Sequence, residues 1–233
     1  MWHLINHLVS PRKFFNLSNK IRPWLIALFI ASFSYGIIGG LLIAPADYLQ
    51  GDGFRIIYVH APSAFLSLFI FAIMAGAAIC GLVFHLKLAF LVIRHSASIG
   101  AIFTLLALIT GSLWGKPMWG TYWIWDARLT SELILLFLYL GILLLQSALA
   151  QKQTGERAIA ILILVGFIDI PIIHYSVYWW NTLHQGATLK LFSPSAIDAS
   201  MLYPLLSMII AFLAYYCIVL FMRMNNELKD KRL

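Results

Sequence analysis

An all-α bundle of six membrane-spanning helices is the fold class this sequence predicts, on three observations. Of its 233 residues 62% are hydrophobic and only 11% charged, with a mean hydropathy of +0.89; a soluble domain carries about a quarter charged residues. Six apolar runs approach the roughly 20 residues that a bilayer core asks of a helix. The basic residues gather between those runs, so the net charge of +7 reads as a topology signal facing anionic headgroups rather than as nucleic-acid affinity.

The residues from Met1 to Arg22, with Arg12, Lys13, Lys20 and Arg22, are expected to form an interfacial leader. A first span follows over Trp24–Ala44 and ends at Pro45; it is long enough to remain as an anchor rather than a cleaved signal. A polar loop over Ala46–Val59 precedes the second span, Ala61–Phe84, where Pro62 suits a first helical turn. Ser96–Leu113 makes the third span. The fourth, Ser131–Leu149, opens on an N-cap-like Thr130-Ser131-Glu132. A turn with Lys152, Glu156 and Arg157 leads to the fifth, Ala158–Tyr175. Val177–Ala199 is the longest loop, Met201–Met222 the last span and Arg223–Leu233 a charged tail. Without internal repeat or low-complexity segment, 1–233 reads as one transmembrane domain.

Six spans put both termini on one side. That side carries Arg12, Lys13, Lys20, Arg22, Lys87, Arg94, Lys152, Arg157, Arg223, Lys229, Lys231 and Arg232; the other carries only Arg55, Lys116, Arg128 and Lys190. The positive-inside rule makes the first side cytoplasmic. Cys80 and Cys217 lie inside apolar runs and form no C-x-x-C or C-x-x-C-H motif, and no phosphate-binding G-x-x-x-x-G-K-[ST] occurs. The chain thus lacks the usual signature for attaching a c-type haem to itself and is not expected to hydrolyse ATP on its own.

The second outer loop organises the chain. Trp114–Thr130, WGKPMWGTYWIWDARLT, holds four of the eight tryptophans. Gly115, Pro117 and Gly120 predict irregular backbone at its start. From Trp119 onward, helical spacing would align Trp119, Trp123 and Asp126, with Lys116 and Arg128 at the rim. A plain interfacial tryptophan belt is the competing reading, although belts are scattered over several helix ends. Of the seven histidines, His3, His7, His85 and His95 fall on the terminal side, which leaves His60 in YVHAPSAF, His174 in IPIIHYS and His184 in YWWNTLHQGAT. Each of these alone also fits an interfacial role.

The run from Trp119 to Gly141, with Trp114 ahead of it, resembles the tryptophan-rich WWD signature of haem-handling membrane proteins in cytochrome c maturation. Length and the two histidine segments make the chain most similar to the CcmC family. Tyr122 stands where relatives often carry another tryptophan, and Tyr178 where many carry an acidic residue. The resemblance implies non-covalent haem b with iron held axially by His60 and His184, His174 ranking third. It implies a platform of Trp114, Trp119, Tyr122, Trp123, Trp125, Asp126, Trp179 and Trp180. Arginine's planar fork suits the haem propionates, so Arg128 is expected there first, then Arg55 and Lys116. Asp126 is expected to orient an indole N–H or Arg128. Glu132 and Asp169, acidic residues in or near spans, remain without a role. The implied partners are the periplasmic haem chaperone CcmE, the small membrane protein CcmD, the ATP-binding-cassette components CcmA and CcmB, and membrane lipid. The implied location is the bacterial inner membrane, and the implied function is haem delivery to CcmE at the periplasmic face. A haem-translocating permease and a b-type cytochrome electron-transfer subunit are the alternatives.

Overall fold

The computed structural model describes residues 10–149, 153–184 and 197–230; His3, His7, Lys152, Lys190, Lys231, Arg232 and most of the third outer loop lie outside them. Helix α1, Pro11–Ile37, continues through a π-turn, Ile38–Ile43. A 3₁₀ turn, Asp52–Ile56, leads into α2, Ile57–Phe84. There follow α3, Lys87–Trp119; α4, Ala127–Ala148; α5, Gln153–Gly166; α6, Asp169–Trp179; and α7, Ala199–Asp230. With α5 and α6 in one span, Thr154–Trp179, six helices are long and apolar enough to cross a membrane. The described residues contain no strand.

Helices outrun the apolar runs because hydropathy marks the hydrocarbon core and not the helix ends in the headgroup zone. The expected leader is helical from Pro11: Ser10 Oγ accepts from Lys13 N at 3.3 Å, and a proline at the helix start has no N–H to leave unpaired. Likewise α2 begins before Ala61, which puts His60 in its first turn and Pro62 in its second.

Two expectations about the tryptophan loop are corrected. Gly115 and Pro117 do not break the backbone but lie within the last turns of α3, which extends to Trp119. Gly120, at φ 79°, adopts the left-handed cap that glycine tolerates, and its N–H bonds Lys116 O at 3.0 Å. After it the chain is irregular up to Asp126, so the helical face of Trp119, Trp123 and Asp126 does not form. The N-cap of α4 is Asp126 rather than Thr130-Ser131: its Oδ1 accepts from Leu129 N at 2.8 Å. The break between α5 and α6 falls ahead of Pro171, which cannot donate to the Phe167 carbonyl four residues back.

The core joins Leu66, Ile70, Phe71 and Met74 of α2 to Leu135, Tyr139 and Ile142 of α4, with Ile163, Ile173 and Tyr216 closing it. Several of its polar groups pair across helices, as a low-dielectric interior favours. Tyr139 Oη donates to Ser67 O at 2.8 Å, Ser67 Oγ to Glu132 Oε1 at 2.7 Å, and Ser96 bonds Tyr216 Oη at 2.9 Å. Both described chain ends lie together, since Ser18 Oγ donates to Asn225 Oδ1 at 3.0 Å.

Close approach explains Gly100, where an added Cβ would collide with the Tyr139 ring; at Gly76 it would meet nothing within 4 Å. Thermal unfolding in detergent should therefore show Gly100→Ala destabilised by about 1–3 kcal/mol through overpacking. Gly76→Ala should gain about 0.5–1 kcal/mol from helix propensity. Equal stability of the two variants would contradict this packing.

Candidate functional site

At the end of the bundle opposite the chain termini, the starts of α2 and α4, the end of α3 and the segment after α6 line an open cavity. His60, Trp114, Trp119, Trp123, Arg128, Glu132 and His184 share its wall with small and aliphatic residues of α2, α3 and α4.

His60 is aimed by α3. Its Nδ1 lies 3.1 Å from Ala107 O and 3.0 Å from Thr110 Oγ1. The Thr110 hydroxyl donates to Leu106 O at 2.6 Å, so it faces the ring with a lone pair. Both neighbours thus accept, which places the proton on Nδ1 and leaves Nε2 a lone pair for a ligand. A metal-binding imidazole is ordinarily anchored in this way through its other nitrogen. Gly111 makes room: a Cβ there would sit 3.1 Å from His60 Cε1.

His184 is carried by a chain of hydrogen bonds from α4. Besides capping its helix through Oδ1, Asp126 accepts the Thr182 hydroxyl at Oδ2, and Thr182 Oγ1 accepts from His184 N at 3.0 Å. The two imidazole centres stand 6.4 Å apart with planes inclined by 39°. Trp119 approaches His184 at 6.4 Å and meets Trp114 edge to face at 5.1 Å. Trp114 Nε1 donates to Gln50 Oε1 at 2.9 Å, which ties the first interhelical loop to the same wall.

The remaining wall is polar. Arg128 is oriented by Nη1 donating to Ile173 O at 2.6 Å. Glu132 is buried one turn along α4 and bonded to Ser67. Trp123 Nε1 is buried and has no partner among the described residues, a donor whose satisfaction falls to whatever enters the cavity. Two histidines, aromatic walls, a guanidinium and a spare indole donor suit a flat, apolar, anionic ligand that accepts two imidazoles.

Of the residues expected from sequence, His60, His184, Trp114, Trp119, Trp123 and Arg128 meet at this cavity. Others do not line it. Tyr122, Trp125, Trp179 and Trp180 are exposed, Trp125 to 76%. Arg55 is taken up by Asp52 at 2.9 Å and Gly40 O at 2.8 Å. Lys116 donates to Gly120 O at 3.0 Å and lies over the Tyr122 ring. Asp126 does not orient an indole or Arg128 but holds the His184 segment. His174 is exposed and packs against Tyr175. Sequence reading missed Thr110, Gly111, Thr182 and Gln50. Only Thr182, two residues before His184, carries a local signal, since threonine hydroxyls bond the backbone two residues on.

The family model for CcmC, described as "Heme exporter protein C", matches residues 4–233. Heme exporter protein C of Escherichia coli (strain K12) is 48% identical over 226 residues, covering 97% of this chain and 91% of the relative. The protein of the same name from Haemophilus influenzae is 46% identical over 228 residues, covering 98% and 93%. A "putative cytochrome c biosynthesis ccmC-like mitochondrial protein" of Arabidopsis thaliana is 43% identical over 215 residues, covering 91% and 80%.

If Asp126 and Thr182 carry His184, loss of the hydroxyl should free the ring without unfolding the bundle. Carbethoxylation of His184, followed by mass spectrometry, should run faster in Thr182→Val and Asp126→Ala than in the parent. Asp126→Ala should additionally lose about 1–2 kcal/mol as the helix cap goes. An unchanged His184 rate in both variants would refute the link.

Proposed function

The chain belongs to the Heme exporter protein C family, and on that premise we propose that it holds haem for transfer during cytochrome c biogenesis, with His60 and His184 as axial ligands. The observation that carries the reading is the pairing of the two rings. With a metal–nitrogen bond of about 2 Å, two imidazoles on one metal hold their centres about 6 Å apart; the observed separation is 6.4 Å. Among the described residues no group of three or more His, Cys, Asp or Glu could hold a bare ion. A porphyrin brings four nitrogens of its own and needs only two more.

Each wall residue then has a task. Nδ1 of His60, bonded to Ala107 O and Thr110, keeps Nε2 basic and fixed in direction. Trp114, Trp119 and Trp123 supply aromatic contact to the macrocycle, and Arg128 and the Trp123 indole supply donors to its carboxylates. With both axial positions filled, iron is held and handed over rather than opened to oxygen. The cargo passes to the periplasmic chaperone CcmE, with CcmD, CcmA and CcmB as the associated components. The cavity end faces the periplasm and the basic terminal end the cytoplasm of the bacterial inner membrane, in keeping with the positive-inside rule. The chain acts as a single haem-handling domain.

Purified with haem, His60→Gly or His184→Gly should lose the low-spin bis-imidazole absorption spectrum and regain part of it on adding imidazole. His174→Gly should leave it intact; loss of the spectrum in that variant alone would sink the assignment. Trp119→Ala and Trp123→Ala should keep the spectral type yet bind haem about five- to 150-fold more weakly, from roughly 1–3 kcal/mol of lost aromatic burial. A normal haem-to-protein ratio in the double variant would remove these rings from the site. Arg128→Ala should retain less haem than Arg128→Lys, which keeps the charge but not the fork. Haem retention equal to the parent in both would end the propionate role.

A further inference from the structure

A second cavity, open on one side, lies at the terminal end of the bundle between α3, α4 and α5. Arg94 in its wall precedes Gly111 in the wall of the first by 17 residues of α3 (111 − 94). At 1.5 Å per residue this is about 25 Å, close to the roughly 30 Å of a bilayer's hydrocarbon core. The cavity therefore sits at headgroup height in the leaflet bordering the chain termini.

Its wall has two characters. Phe90, Ile93, Leu149 and Ile159 make it apolar, while Arg94, Gln146 and Glu156 make one region polar. Arg94 donates to Glu227 of α7 and, over a longer 3.3 Å, to Glu156. Glu227 also bonds His95 Nε2 at 2.8 Å, so Glu227 is engaged twice and Glu156 only loosely. Gln146 Nε2 is buried and finds no partner among the described residues. Buried donors are nearly always paired, and an unpaired one in a cavity wall calls for an acceptor inside.

We propose that this cavity binds one zwitterionic phospholipid with a primary-ammonium headgroup. A phosphate oxygen accepts from Gln146 Nε2 and from the edge of Arg94 now lent to Glu156. The ammonium donates to the Glu156 carboxylate, and the glycerol and upper chain lie along Phe90, Ile93 and Ile159. One guanidinium and one loosely held carboxylate in the wall match a zwitterion. A purely anionic headgroup would face Glu156, and a quaternary ammonium has no N–H to give it. The proposal concerns lipid alone and stands independently of the haem reading.

The test uses the full-length protein in detergent and in lipid nanodiscs. Mass spectrometry of the washed protein should show phosphatidylethanolamine retained in preference to phosphatidylcholine and phosphatidylglycerol, and adding it to delipidated protein should raise Tm. Gln146→Leu removes the donor at nearly constant volume, and Ile159→Trp fills the cavity from α5. Each should cut retention roughly tenfold, the worth of one hydrogen bond to a charged group. Retention equal to the parent in either folded variant overturns the proposal. So does an equal rise in Tm with inorganic phosphate, which would mark a free-phosphate site, or a lack of headgroup preference in the parent, which needs no variant to fold.

Discussion

The Asp126 carboxylate acts in two directions at once, and the geometry of the cavity follows from it. One oxygen takes the Leu129 N–H and starts α4; the other takes the Thr182 hydroxyl, 56 residues further on. The same short side chain thus ties the start of the helix whose first and second turns carry Arg128 and Glu132 to the segment that carries His184. A carboxylate at a helix N-terminus is favoured by the unpaired N–H groups and the helix dipole. This is why an acidic residue can hold a loop here at the edge of a membrane without a basic partner. The aspartate of the tryptophan signature thereby links the helix cap to the segment that carries His184.

His60 is held by the opposite strategy. It sits in regular helix, and its ring is steered by backbone and hydroxyl of the neighbouring helix, with Gly111 leaving the space. One histidine sits within a helix, and the other is tied through a threonine to a helix cap. In the proposed transfer, haem is met by one histidine from a helix and one from a loop. Loops positioned on a rigid scaffold are where such function is ordinarily found.

Much of this was legible in the sequence. Six apolar runs specified six spans, since an unpaired backbone inside a bilayer leaves only helices for a chain of this composition. Trp114, Trp119, Trp123, Arg128, His60 and His184, which line one cavity, were also legible, through the likeness of their segments to a known signature. Helix ends were not, since hydropathy falls at the headgroups while the helix continues. Nor was the route by which Trp119 and Trp123 reach one wall: Gly120 ends the helix between them, so they meet through a bend instead of a shared face. Thr110 and Gly111 were invisible because their importance lies in what crosses from α2, and no local pattern encodes that.

The account stands on His60 and His184 sharing one iron across the cavity. Pulsed electron paramagnetic resonance on the ferric, haem-loaded protein, with histidine labelled by ¹⁵N, reads the axial nitrogens directly. The predicted result is a low-spin centre coupled to two histidine nitrogens of similar strength. A high-spin centre, or coupling to one histidine alone, would contradict it.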